Sequence, residues 1–282
     1  IEKAKEYKMD SLALTDHGAM YGAIEFYRKC LAADIKPIIG VELYVSSGSR
    51  FDKGAGKMDR RYHIVLLAKN DAGYRNLIKL VTKSHLEGLY YKPRVDKELL
   101  KEYHEGLIAL TSCLQGEVPT AVLNGDWATA KKAALEYKEI FGQGNFYLEI
   151  QDHPNSLDQV RTNKGLIKLS KQLDLPLVAT NDVHYLNKED ADVHDVLLCI
   201  QTNHTVDEKE RLTMKEDDFS LKPPDQMIRA FKNVPEAIEN TQKIAEECNL
   251  KIELDKIELP LFPLPEKETA DSYLEKLCQE GF

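Results

Sequence analysis

The stretch Thr180-Asn-Asp-Val-His-Tyr-Leu186 closes an apolar run that begins at Leu175, and it sets a carboxylate and an imidazole two residues apart. Alternate residues of a strand share one face, so Asp182 and His184 are expected to project together from a strand end. Such a pair suits a metal ion. Comparable residues mark other apolar runs: Asp16-His17-Gly18 ends one, Glu42 interrupts a second, His63 opens a third, and Cys113 follows Leu110-Thr-Ser. Neutral imidazoles, a thiolate and carboxylates together suit Zn²⁺, Mn²⁺ or Fe²⁺ far better than Mg²⁺ or Ca²⁺, which prefer oxygen alone. Two or more ions about 3.5 to 4 Å apart would clamp the attacking and leaving oxygens of a phosphate ester, with Glu42 and Asp182 as bridging carboxylates. Taken singly, each residue also has an ordinary structural reading: Asp16 or Asp182 as a helix cap, His63 as a hydrogen-bonded core residue, Cys113 as a small buried hydrophobe. The set taken together favours metal. His85, His104, His153, His194 and His204 have no strand-end placement and read as surface or structural.

The elements that must position these residues repeat one phrase: a short apolar strand, a polar turn, a helical stretch. Strands are expected at 11–15, 36–45, 63–68, 106–111, 145–151 and 175–181, with helices at 126–141, stopped by Gly142, and 157–173, started near Asn155 or Ser156. Strands alternating with helices imply parallel pairing through right-handed crossovers. Continuous apolar runs such as LPLVAT imply strands covered on both faces. In an α/β barrel the carboxyl ends of the strands converge on one mouth, so residues distant in sequence become neighbours. His63 is awkward in that scheme. It lies at the amino end of its strand and fits only with a shift of register or a contribution from the preceding loop.

From about 193 to 255 the chain reads as helices, one of them starting at Asn233-Val-Pro-Glu with Ile238, Thr241, Ile244, Ala245 and Cys248 on its inner face. Leu259-Pro-Leu-Phe-Pro-Leu-Pro-Glu266, with its three prolines, should be an extended connector to a last helix at 271–279. The expected organisation is a barrel domain at 1–255 and a connector with the start of a further region at 256–282.

Bulk properties narrow the function classes. Of 282 residues, 43% are hydrophobic and 30% charged, and no apolar run is long enough to cross a bilayer. Membrane and secretion readings drop out. Five cysteines without a C-x-x-C pair suit reduced thiols in a cytoplasmic protein. A net charge of -9 opposes non-specific binding to nucleic acid by the chain as a whole, but not a local groove. Gly88-Leu-Tyr-Tyr-Lys-Pro-Arg94 offers one, with Tyr91 to stack on bases and Lys92 and Arg94 to hold phosphate. An ordered loop whose tyrosines pack on the barrel is the competing reading. Lys53, Lys57, Arg60 and Arg61 lie in a glycine-containing loop before His63 that is expected to be mobile.

Together with Ile39-Gly-Val-Glu42, Tyr62-His-Ile-Val-Leu-Leu-Ala68 and Leu110-Thr-Ser-Cys-Leu-Gln-Gly-Glu117, these segments resemble the polymerase-and-histidinol-phosphatase (PHP) domain carried by the bacterial replicative DNA polymerase III alpha subunit. The resemblance implies a distorted (β/α)7 barrel whose mouth binds as many as three ions, zinc or manganese. It implies the ligands His17, Glu42, His63, Cys113, Asp182 and His184. It also implies that the parent is a DNA-directed DNA polymerase, using Mg²⁺ for synthesis. Its PHP site would be either a 3′-to-5′ exonuclease or other phosphoesterase, or a scaffold docking a proofreading exonuclease subunit, with DNA and other replisome subunits as partners. A free-standing PHP phosphatase is a weaker alternative. The family's first motif, a strand carrying H-x-H and a following Asp, has no counterpart here, so the expectation is a barrel lacking its first strand and unable to form the full three-ion site.

Overall fold

The computed structural model describes residues 1–53, 60–254, 256–257 and 260–282. The chain divides into two units, Ile1–Lys251 and Ile252–Phe282. The boundary expected at residue 255 and the predicted role of Lys57 lie outside the described residues. The second unit contains the helix Ala270–Gly281, opened by Thr269, whose hydroxyl accepts from the Ser272 N–H.

The first unit is built on one sheet. Its strands are β1 (Ser11–Leu14), β2 (Lys36–Ser46), β3 (Arg61–Ala68), β4 (Arg94–Val95), β5 (Leu107–Leu110), β6 (Phe146–Gln151) and β7 (Leu177–Thr180). The spatial order is β1-β2-β3-β5-β6-β7, with β4 pairing on the end of β2. The three longest helices between strands start where a short polar side chain takes an otherwise unpaired N–H. Asn70 does this for Asp71–Leu86, Asp126 for Trp127–Phe141, and Ser156 for Leu157–Leu173. Gly142, at φ 82°, closes the second of these helices, as its sequence position suggests.

Uniform parallel pairing is corrected by β3. It runs antiparallel to both β2 and β5, with Tyr44 opposite His63 and Val65 opposite Leu110. β2 and β3 are joined without an intervening helix among the described residues, and strands joined without a crossover pair antiparallel. The remaining pairs, β1·β2, β2·β4, β5·β6 and β6·β7, are parallel.

The sheet curls. Laid flat, β1 and β7 would be five strand spacings apart, about 24 Å. The rings of His17, just after β1, and His184, just after β7, instead have centroids 6.3 Å apart. The concave face carries Ile38, Val65, Leu67, Ile108, Leu110, Tyr147 and Val178, and Ile244, Ala245 and Cys248 of the helix Pro235–Glu247 and its cap close it at one end. Thr241, expected on that helix's inner face, is exposed. Asn240 takes the inward place, because its amide reaches the Leu177 carbonyl at 2.7 Å where the strand leaves a backbone acceptor open.

Candidate metal centre

At the other end of the concave face the inward residues become polar. Glu42 follows Ile38 and Gly40 along β2 with the two-residue repeat of a strand, and the N–H groups of Glu42 and Gly18 bond to the Asp16 and Glu42 carbonyls at 3.0 and 2.8 Å. Those two bonds extend the β1·β2 pairing and bring His17 beside Glu42. Gly18 is required there. Its φ is +64°, and a Cβ would stand 2.8 Å from Pro93 Cγ. Its carbonyl accepts from His85 Nε2 at 2.9 Å, so His85 braces the loop from outside.

Glu42 is buried and sits between donors. Oε1 accepts from Ser112 Oγ at 2.5 Å and lies 2.9 Å from His63 Nδ1, and Oε2 is 3.6 Å from His17 Nδ1. Burial alone would raise its pKa, but His63, His17 and Ser112 outweigh burial and hold the carboxyl below its usual value. Ligand atoms of His17, Glu42 and His63 all lie within 4.8 Å of one another. His63 needs no register shift. Because β3 is antiparallel, its amino end meets the carboxyl ends of β2 and β5, and the His63 N–H bonds to the Gln115 carbonyl at 3.1 Å. Cys113 Sγ lies 3.8 Å from His63 Nδ1. Burial, then the charges of Asp182 and Glu42, push its thiol well above the ordinary value.

Asp182 and His184 arrive together, though not by strand alternation. β7 ends at Thr180, and Asp182 has φ 48°, outside any strand. His184 Nδ1 lies 2.6 Å from the Asp182 carbonyl, which can only accept, so Nδ1 carries the proton and the lone pair is left on Nε2. Burial first and then Glu42 push the Asp182 carboxyl up to about 6.

The six residues therefore meet at one mouth, with an excess of negative charge that a divalent cation would neutralise and a neutral thiol that one would ionise. The donor set, three imidazoles with two carboxylates and one sulfur, fits a borderline ion such as zinc or manganese.

The proposed nucleic-acid residues divide. Arg94 is fully buried, with Nε on the Gly88 carbonyl and Nη2 on the Arg50 and Asp52 carbonyls at 3.1 and 2.8 Å. It is a strut of the loop, and the expectation that it holds phosphate is corrected. Tyr91 is exposed with its ring edge-on to Tyr90. Lys92 Nζ lies 5.7 Å from the Tyr44 ring, which stands edge-on to His63, so this cation is at the rim of the site.

Two neighbours escaped the sequence reading. His194 packs its ring edge-on to His184 at 5.4 Å from a helix beyond β7, and nothing in local spacing announces that contact. Glu149 is a buried acid in the apolar strand FYLEIQ, the same signal that singled out Glu42.

Comparison with known proteins identifies the family of the chain. Residues 1–153 match the PHP domain family. The protein named DNA polymerase III subunit alpha in Treponema pallidum is 44% identical over 284 residues, covering 100% of this chain and 24% of that protein. Its namesake in Borreliella burgdorferi is 45% identical over 286 residues, covering 100% of this chain and 25% of its own length. That of Thermus aquaticus is 44% identical, covering 96% and 23%. The chain thus spans about a quarter of the curated relatives it matches. A solved structure of a proposed metal-dependent phosphoesterase from Bifidobacterium adolescentis aligns with a TM-score of 0.40 and 9% identity, over 82% of this chain and 89% of that one, too slight a likeness to bear on the argument.

Proposed function

The chain belongs to the PHP domain family, and on that premise we propose that the mouth of its curled sheet is a divalent-metal site acting on a phosphate ester. His17, Glu42, His63, Cys113, Asp182 and His184 would hold the ions, zinc or manganese. The observation that supports this most is the close set of His17, Glu42 and His63, three residues from separate elements whose ligand atoms all lie within 4.8 Å of one another.

A divalent ion bound there supplies Lewis-acid polarisation of a phosphoryl oxygen and neutralises its charge. The protein's own part is to hold the donors in fixed tautomers, as the Asp182 carbonyl does for His184, and to keep the apolar end of the barrel closed to water. Lys92 at the rim adds a positive charge for an incoming phosphate, and the exposed Tyr91 ring can stack on a base. The substrate class is then a phosphodiester at the 3′ end of DNA. The chain serves within a DNA polymerase III alpha subunit in the cytoplasm, with DNA, a proofreading exonuclease and other replisome subunits as partners and Mg²⁺ for synthesis. The relatives' shared name supports that setting.

The test is release of a 3′ label from single-stranded DNA by the chain with Mn²⁺ or Zn²⁺. Metal-dependent release that disappears in the Asp182→Asn, His184→Asn double variant supports the hydrolytic reading. No release from a metal-loaded chain, with the double variant merely less stable, would overturn hydrolysis and leave a metal-braced scaffold.

A further inference from the structure

Glu149 is the buried acid that the centre described above leaves unused. On β6, Tyr147 faces the concave core with Val65, Leu110 and Val178. The two-residue repeat of a strand turns Glu149 and Gln151 to that same side, closer to the mouth. Its two oxygens are treated differently. Oε1 accepts from Thr180 Oγ1 at 2.6 Å and from Gln151 Nε2 at 3.2 Å, whereas Oε2 is buried with no hydrogen-bond partner among the described residues. An acid kept only for packing has no reason to carry such an oxygen, since buried polar atoms are normally paired.

Its connections run toward both of the centre's carboxylates. Thr180, which donates to Oε1, stands two positions before Asp182. The Glu149 N–H donates to Thr111 Oγ1 at 2.8 Å, and the next residue, Ser112, donates its hydroxyl to Glu42. Burial first, and also the charges of Asp182 and Glu42, push the Glu149 carboxyl up to about 7, so those charges reach it.

Resting on the metal reading above, we propose that Glu149 is a positioning residue of that centre: Oε1 fixes the β7 end that carries Asp182 and His184, and Oε2 is turned to the cation's side of the cavity. Thr180 and Thr111 are the arms through which it acts. Neither is a candidate ligand, which makes the positioning role separable from ligation.

Titration of the full chain with Co²⁺, read by its visible absorption bands, tests this. Glu149→Ala should bind Co²⁺ about 10–100-fold more weakly with shifted bands, as loss of an outer support does, while circular dichroism remains that of the folded chain. Thr180→Val, which keeps the carboxylate but removes its hydroxyl partner, should move the bands in the same direction by less. Wild-type affinity and an unchanged spectrum in Glu149→Ala would overturn the proposal. If Glu149→Ala does not fold, Thr180→Val carries the test, and an unchanged spectrum there overturns it. If the wild-type chain binds no Co²⁺, the metal reading fails by itself. The His184 imidazole resonances of the metal-free chain then decide: shifted by Thr180→Val, the positioning role stands; unshifted, it falls.

Discussion

His63 Nδ1 lies 2.9 Å from Glu42 Oε1, and the two residues reach that distance from adjacent strands running in opposite directions. The antiparallel register sets Glu42 opposite Val65 and Tyr44 opposite His63, so the two side chains are diagonal neighbours on one face of the pair. A buried carboxylate between two imidazoles and a hydroxyl is stable as an anion only while those donors remain.

Glu42→Ala removes the shared acceptor and takes from buried Ser112 and His63 their carboxylate partner. In the presence of a chelator it should destabilise the chain by about 1–3 kcal/mol, read as a shift of the urea midpoint at unchanged slope. A midpoint equal to that of the wild type would show that the donors find other partners at no loss.

Gly18→Ala strains the loop that carries His17, because φ is +64° and the new methyl meets Pro93. The expected loss is about 1–3 kcal/mol in denaturant unfolding, together with weaker metal binding. Metal affinity held at the wild-type level would separate the loop's conformation from the site.

Glu149 makes stability depend on pH with a definite sign. Its carboxyl is near 4.5 when exposed and about 7 in the fold, so the folded chain holds the proton more tightly. The stabilisation is fully present below pH 4.5 and is lost as pH rises through 7, by on the order of 3 kcal/mol in the metal-free chain. Unfolding free energies of wild type and Glu149→Gln, measured from pH 4 to 8, should run parallel below about pH 4.5 and above about pH 7 and differ in slope between, where the wild type loses stability. Identical profiles at every pH would contradict the shift.

Arg94 and Lys92 stand two residues apart and should behave oppositely. Arg94→Ala removes hydrogen bonds to three backbone carbonyls from a fully buried side chain and should destabilise by about 2–4 kcal/mol. Lys92→Ala should leave the melting temperature unchanged, weaken single-stranded DNA binding, and lower the slope of log affinity against log salt by roughly one. Fluorescence anisotropy across salt concentrations reads both, and an unaltered slope would remove Lys92 from the phosphate path.

Much of this arrangement is legible from residue types, and its gaps have physical causes. Glu42 was visible because a lone acid in an apolar strand needs partners. Glu149 carries the same signal in FYLEIQ. The direction of β3 is hidden because an apolar strand reads alike in both directions, and the informative fact is that no helix lies between β2 and β3 among the described residues. Asp182 and His184 do meet, through a left-handed residue and a side-chain bond to the backbone that a two-residue repeat does not describe. Arg94 resembled a phosphate ligand because exposed and buried arginines are the same letter. What distinguishes it is the set of carbonyls brought in from the loop around Arg50 and Asp52.

The most direct test of the central claim is the metal content of the purified chain after exhaustive dialysis, measured by elemental mass spectrometry beside the His63→Ala and Asp182→Asn variants. The account predicts tightly held zinc or manganese in the wild type and a marked loss in both variants, each still folded. A metal-free wild type, or equal metal in all three proteins, would contradict it.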